Sequence, residues 1–169
     1  MRRIAMAQML VEGGLIDNNL RQAVNTIEAA ATNNCDIVVL PECLDVGWTH
    51  PSARTEAQPI PGPTSQVISQ AATDHHIYVV AGLTERTDQH IYNAAILISP
   101  SGEILLKHRK INVLDIARDI YSIGDTLSVA ETELGTIGLN ICADNFPSSL
   151  HFARSLASMG ADLLLSPCA

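Results

Sequence analysis

Residues 3–42, RIAMAQMLVEGGLIDNNLRQAVNTIEAAATNNCDIVVLPE, decide the fold class because two apolar runs flank a segment with helical periodicity. The run RIAMAQML predicts a first strand. The run DIVVLPE predicts a second strand that is buried on both faces, because it does not alternate and Pro41 stops it. Between them Asp17 can cap a helix whose apolar residues recur at spacings of four, three and four. This stripe consists of Leu20, Val24, Ile27 and Ala31. The pattern is a β-α-β unit of an α/β protein.

The rest of the chain continues the alternation of strands and helices. Residues 43–63 are rich in Gly and Pro and predict an irregular loop over the strand ends that can line a pocket. We then expect a helix capped by Thr64, a strand, two hairpins, a helix and a closing strand. Their ranges are 64–75, 77–85, 91–110, 127–142, 147–160 and 161–167. No repeat or linker divides residues 1–169, which we expect to form one domain.

Composition excludes several classes of protein. The 169 residues are 47% hydrophobic and 17% charged, so a disordered chain is not expected. With 10 Lys and Arg against 18 Asp and Glu, the formal charge of -8 opposes binding to nucleic acid or to an anionic membrane. Gln8 interrupts the first apolar run and no small-residue cleavage site follows, so we expect a cytoplasmic protein. The low charged fraction also predicts a surface that associates with a partner.

Three polar residues stand where predicted strands give way to loops. Glu42 ends DIVVLPE, Lys110 ends EILLKHRK, and Cys142 ends TIGLNIC. In α/β sheets ligands bind at the carboxyl ends of strands, where side chains converge. A cysteine at a sharp strand-to-helix turn is exposed to substrate and favoured as a thiolate. Taken singly, each residue has a structural alternative: a core cysteine, a solvated acid or a solvated charge run.

The segments DIVVLPE, SGEILLKHRK and GTIGLNICADNFP, in this order, resemble the Glu, Lys and Cys motifs of the nitrilase superfamily of carbon–nitrogen hydrolases. The resemblance covers essentially the whole chain. It implies a four-layer α-β-β-α sandwich, of which this chain would hold the N-terminal part. It also implies that Glu42 is the general base, Lys110 the transition-state stabiliser and Cys142 the nucleophile. Neither a metal nor an organic cofactor is implied, and a homo-oligomer is expected.

The chemistry of these residue types agrees with the resemblance. A thiol is mostly protonated at neutral pH, so a carboxylate that takes its proton and a cation beside it both favour attack. Attack on an amide or nitrile carbon creates negative charge that Lys110 and the Ala143 N–H could stabilise. We therefore expect a hydrolase of non-peptide carbon–nitrogen bonds that acts on a small amide, with nitrile or N-carbamoyl substrates as alternatives. A catalytically silent, truncated or split subunit is the other hypothesis.

Two features of the chain depart from the resemblance. Family members often carry a second glutamate where this chain has Ala117, and Asp115 or Asp119 could supply that carboxylate. Family members also continue beyond the point where this sequence stops, so we expect a partner or a complementary C-terminal segment. Cys35, Cys43 and Cys168 are expected to be core residues, and a redox role for Cys142 would need a resolving cysteine that its sequence neighbourhood lacks.

Overall fold

In the computed structural model, which describes residues 2–169, the strands form two sheets. The strands of the first sheet are β1 (Ile4–Met6), β2 (Ile37–Val39), β3 (Tyr78–Arg86), β4 (Ile91–Ile98) and β5 (Ile104–Arg109). Those of the second are β6 (Val129–Thr132), β7 (Gly135–Leu139) and β8 (Leu163–Leu165). The helices are α1 (Ile16–Thr32), α2 (Ala53–Glu56), α3 (Pro63–His75) and α4 (Leu150–Ser158), and short 3-10 turns occupy Asp115–Ala117, Cys142–Asn145 and Pro147–Ser149.

Strand direction brings the ends of β2 and β5 to one edge. The first sheet has the order β1-β2-β3-β4-β5, in which β1, β2 and β3 are parallel and β4 is antiparallel to both β3 and β5. Strand β5 therefore runs in the same direction as β2, and the residues that follow the two strands lie at the same edge. In the second sheet β7 lies between β6, which is antiparallel to it, and β8, which is parallel.

The two faces of the first sheet bury different layers. In β3, Val79, Ala81 and Leu83 pack in the core beneath α1 and α3. Tyr78 and Val80 point the other way and pack in a second core, shared with residues of β7. On the far side of the second sheet, α4 places Leu156 against β7. The layers are thus helix, sheet, sheet and helix, which confirms the predicted sandwich.

The helix ends differ slightly from the sequence prediction. Helix α1 begins at Ile16, and the residue before it makes no side-chain cap, so Asp17 lies in the first turn instead of capping it. There its carboxylate still interacts favourably with the helix dipole. Helix α3 begins at Pro63 rather than after Thr64, and the Ser65 hydroxyl accepts a hydrogen bond from the Gly62 N–H at 2.9 Å. The predicted loop 43–63 contains the short helix α2.

No helix among residues 2–169 combines the length and the apolar character that crossing a membrane requires.

Gly82 in β3 permits a close approach of the turn that follows β2. A Cβ atom at this position would lie 2.6 Å from the Cα of Glu42 and 2.6 Å from the carbonyl oxygen of Pro41. Backbone hydrogen bonds join the same segments, with the Gly82 N–H donating to Pro41 O and the Leu44 N–H donating to Gly82 O. The turn that carries Glu42 is therefore positioned by direct packing on β3.

We predict that Gly82→Ala lowers the free energy of unfolding by about 1–3 kcal/mol, because backbone atoms must move to admit the methyl group. Gly138→Ala is the matched strand control, since its added Cβ would meet Leu164 Cδ2 at 2.9 Å, the end of a flexible side chain. Urea denaturation followed by circular dichroism measures both variants. Equal losses in the two variants would contradict the packing argument.

Candidate active site

Glu42 and Lys110 form a buried ion pair at the common edge of β2 and β5. Glu42 follows Pro41 just beyond β2, and Lys110 follows directly after β5. The Lys110 Nζ lies 2.6 Å from Glu42 Oε1, and the two side chains are 2% and 1% exposed. Residues 68 positions apart in the sequence are thus brought into direct contact, as the strand-end argument predicted.

Asn93 and Trp48 complete the surroundings of this ion pair. The Asn93 side-chain amide donates to Glu42 Oε1 at 2.6 Å, and the Asn93 carbonyl accepts the Lys110 N–H at 2.8 Å. The Trp48 ring lies with its centroid 5.9 Å from Lys110 Nζ, within the range of a cation–π interaction. The other carboxylate oxygen of Glu42 accepts the Ala169 N–H at 3.2 Å. The carboxylate is therefore fixed in one orientation by several donors.

Cys142 opens the 3-10 turn that follows β7. Its φ of 41° lies in the left-handed region, which non-glycine residues adopt rarely and mostly where surrounding contacts enforce it. Its N–H donates to Pro167 O at 3.1 Å and to Ser166 Oγ at 3.2 Å. On the other side of the same segment, Cys168 O accepts the Glu42 N–H at 3.3 Å. Residues 166–168 therefore lie between Glu42 and Cys142 and join the two sheets.

The Cys142 and Cys168 side chains lie close together, and each shifts the pKa of the other. The neighbouring Cys142 thiol lowers the pKa of Cys168 to about 6, because it stabilises the Cys168 thiolate. The proximity of Cys168 raises the pKa of Cys142, burial and the charge of Glu42 raise it further, and the Lys110 ammonium lowers it. One of the two sulfur atoms is consequently a thiolate near neutral pH while the other keeps its proton.

Asp144 ties the cysteine turn to the segment after Lys110. Its side chain is fully buried, and Oδ1 accepts the N–H groups of Ile111 and Asn112 at 3.2 and 2.7 Å. Its Oδ2 accepts the Ile141 N–H at 3.1 Å and contacts His108 Nε2 at 2.9 Å. One carboxylate thus holds the backbone on both sides of the site. The sequence analysis missed it, although an acid two residues after the candidate nucleophile was a visible signal.

A cavity of about 960 Å³ opens beside the ion pair. Glu42, Trp48, His50 and Cys168 are among its lining residues, and residues 47–51 of the predicted loop form one wall. This confirms that the loop lines a pocket. Among residues 2–169, no group of three or more His, Cys, Asp or Glu is arranged to hold a metal ion. The expected lack of a cofactor stays a prediction.

Some sequence predictions about single residues are wrong. Cys168 is exposed and contacts Cys142, so it is neither a core residue nor remote from the candidate nucleophile. Asp115 has a 91% exposed side chain that pairs with Arg118, and Asp119 is also exposed, so neither supplies a second buried carboxylate. Cys43 is buried, as predicted. The side chain of Lys107 is directed away from the site to Glu85, at 2.5 Å, which supports Lys110 as the site lysine.

The carbon-nitrogen hydrolase family profile matches residues 3–168 of the chain. The chain belongs to this family. It is 33% identical over 175 aligned residues to the omega-amidase NIT2-B of Xenopus laevis, in an alignment that covers 98% of this chain and 62% of that protein. The omega-amidase NIT2 of Mus musculus is 32% identical over the same shares. The chain therefore spans about three fifths of the length of these curated relatives.

Solved structures of the family share the fold. Nit3 of Saccharomyces cerevisiae, a member of branch 10 of the nitrilase superfamily, superposes with a TM-score of 0.88 at 29% identity, covering 99% of this chain and 64% of that one. An amidase from Nesterenkonia sp. superposes with a TM-score of 0.87 at 21% identity and the same coverage. The sandwich of this hydrolase-family chain is thus the nitrilase fold.

We predict that Asp144→Asn lowers the free energy of unfolding by about 1–3 kcal/mol, because the backbone N–H groups of Ile111, Asn112 and Ile141 lose an acceptor. The new amide also presents a donor to backbone N–H groups that need an acceptor. Asp119→Asn is the matched control, which should change stability by less than about 0.5 kcal/mol because the residue is exposed. Thermal and urea unfolding measure the stability of both variants. A loss of stability in Asp144→Asn no larger than in the control would contradict the role of Asp144 in joining the cysteine turn to the segment after Lys110.

We further predict that iodoacetamide alkylates Cys168 before the other cysteines, with a rate that rises through about pH 6, where its thiolate forms. The charged and polar groups around the sulfur pair are Glu42, Lys110 and Ser166. Peptide mapping after brief labelling from pH 5 to 9 measures the profile. In Cys142→Ala the stabilising thiol is gone, so the rise should move to higher pH. An unchanged profile in that variant would contradict the effect of Cys142 on the pKa of Cys168.

Proposed function

We propose that this chain forms the catalytic site of an amidase that hydrolyses a small amide through a cysteine thioester. The observation that carries the proposal is the position of a buried Glu42–Lys110 ion pair beside Cys142, with residues 166–168 in contact with both. Membership of the carbon–nitrogen hydrolase family supports the bond type. Similarity to omega-amidases favours an amide over a nitrile or an N-carbamoyl substrate.

In the first step Glu42 acts as the general base. Neighbouring groups raise the pKa of Cys142, so its thiol is protonated at neutral pH and needs a base before it can attack. Glu42 takes the proton, the sulfur forms a bond to the amide carbon, and the carbonyl π electrons move to the oxygen. A carboxylate held by Lys110 and Asn93 loses little orientational freedom in this step.

Lys110 and the Ala143 N–H stabilise the resulting oxyanion. The Lys110 ammonium is buried, where its charge acts through a low dielectric and is worth more than in water. The Ala143 amide directly follows the nucleophile in the first positions of the 3-10 turn, whose N–H groups have no acceptor within the turn. We therefore assign both donors to the negative charge that develops on the substrate oxygen.

Glu42 then completes both halves of the reaction. Its proton passes to the leaving nitrogen as the C–N bond breaks, and ammonia or an amine departs from the thioester. A water molecule next transfers its proton to Glu42 while its oxygen adds to the thioester carbon, and the C–S bond breaks to return the thiol. The same carboxylate thus serves as base, acid and base in succession.

We predict distinct effects for the three site residues. Cys142→Ala should reduce ammonia release from small primary amides by on the order of 10⁴-fold or more, as the loss of a nucleophile does elsewhere. Lys110→Arg should reduce it by about 100-fold or more, because a planar guanidinium does not replace the compact ammonium at an oxyanion. Glu42→Gln should slow thioester hydrolysis most, so that an acyl adduct on Cys142 accumulates in intact-mass spectra.

Matched controls separate the site from its surroundings. Lys107→Arg and Cys35→Ala change the same residue types outside the site and should release ammonia at the wild-type rate. Any of the three site variants that retains wild-type turnover would remove that residue from the mechanism. Failure of every tested amide to form an adduct or release ammonia with the unaltered chain would favour the noncatalytic subunit over the amidase.

A further inference from the structure

The cysteines Cys142 and Cys168 face each other across two parallel segments. Strand β7 pairs with β8 in a register that places Gly138 opposite Leu164 and Leu139 opposite Leu165. The ladder continues past the strand ends, since the Asn140 N–H donates to Leu165 O and the Cys142 N–H donates to Pro167 O, both at 3.1 Å. The same offset of 26 residues places Cys142 opposite Cys168.

This register suits a disulfide bond. Neighbouring strands lie about 4.8 Å apart, and disulfides join residues whose Cα atoms are about 4.4–6.8 Å apart. Each sulfur shifts the pKa of the other, so the two side chains lie close together. Bond formation therefore requires a small movement of side chains and no change of strand pairing.

The sulfur pair is also accessible and reactive. Cys168 is exposed and lines the cavity beside Glu42, which is large enough to admit a small peroxide. A thiolate, rather than a thiol, attacks an O–O bond. Cys168 supplies one, because the neighbouring Cys142 thiol lowers the pKa of Cys168 to about 6.

We infer that Cys142 and Cys168 are a redox pair that a hydroperoxide closes to an intramolecular disulfide. The thiolate of the pair attacks one peroxide oxygen, the O–O bond breaks, and an alcohol or water leaves while the sulfur becomes a sulfenic acid. The second thiol then attacks that sulfur, the S–S bond forms, and the sulfenic oxygen leaves as water. The two sulfur atoms together lose two electrons, which the hydroperoxide gains.

The disulfide has a consequence for catalysis that rests on the proposed function. While Cys142 is bonded to Cys168 it has no thiol to attack an amide, so oxidation should stop hydrolysis. A thiol reductant should restore it. The disulfide also captures the Cys168 sulfenic acid before it is oxidised to the irreversible sulfinic acid.

Intact-mass analysis of the full chain tests the pair independently of activity. Hydrogen peroxide is added to the reduced protein, and free thiols are then alkylated after unfolding. Of the four cysteines, Cys35 and Cys43 should be alkylated, and Cys142 and Cys168 should appear in one cross-linked peptide that dithiothreitol separates. Cys35→Ser is the matched control and should form the same cross-link. In Cys168→Ser the cross-link should be lost, and Cys142 should be alkylated as a free thiol.

Three outcomes overturn the inference: Cys142 oxidised to sulfinic acid with Cys168 still free, a disulfide between two chains, or an undiminished intramolecular cross-link in Cys168→Ser.

Ammonia release, measured on the same samples, separates the two proposals. If the amidase mechanism holds, activity falls in proportion to the cross-linked fraction and returns with dithiothreitol. If the unaltered chain forms the cross-link and the Cys142→Ala variant still hydrolyses amides at the wild-type rate, the redox pair is supported. Only the assignment of Cys142 as the nucleophile is then refuted.

Discussion

Burying the Glu42 carboxylate beside the Lys110 ammonium costs several kcal/mol of hydration free energy per ion, and only close contact with additional hydrogen bonds offsets that cost. The structure meets this requirement with a separation of 2.6 Å, the Asn93 amide and the cation–π contact of Trp48. Glu42 follows β2, Asn93 lies in β4 and Lys110 follows β5. The hydrogen-bonded ion pair therefore forms only when these three strands have assembled. Stability alone does not explain this ion pair, since two apolar side chains of similar volume would hold the same edge together with no charge to desolvate.

The second sheet reaches this ion pair through two connections. One is Asp144, which accepts hydrogen bonds from the cysteine turn and from the segment after Lys110. The other is the segment 166–168, whose backbone bonds to both Glu42 and Cys142. Between the sheets the contacts are apolar and carry no directional information, because hydrophobic burial is insensitive to small shifts. The hydrogen bonds at the edge therefore fix the distance between the carboxylate of one sheet and the thiol of the other.

Strand periodicity was enough to predict the α/β class, and strand-end polar residues were enough to place Glu42 and Lys110 together, since local pattern determines which residues follow a strand. The four-layer sandwich was implied by the family resemblance and not by periodicity. Cys168 and Asp144 were missed for a different reason. Their partners lie 26 and more than 30 residues away, at positions set by the register of β7 with β8 and by the packing of the two sheets. Asp115 and Asp119 were considered because of sequence proximity alone, and the buried member of that turn is Ala117. Sequence identifies chemical groups, whereas register decides which of them meet.

The pairing of Cys142 with Cys168 changes how the candidate nucleophile has to work. Without it, burial and the charge of Glu42 would still raise the pKa of Cys142, and the Lys110 ammonium would lower it. With it, the negative charge of the pair resides on Cys168, and Cys142 keeps its proton until Glu42 removes it. Deprotonation of Cys142 beside an existing thiolate is opposed by charge repulsion, which couples the reactivity of each sulfur to the state of the other. The residue opposite the nucleophile thus raises its pKa and, in the proposed disulfide, removes its thiol from catalysis.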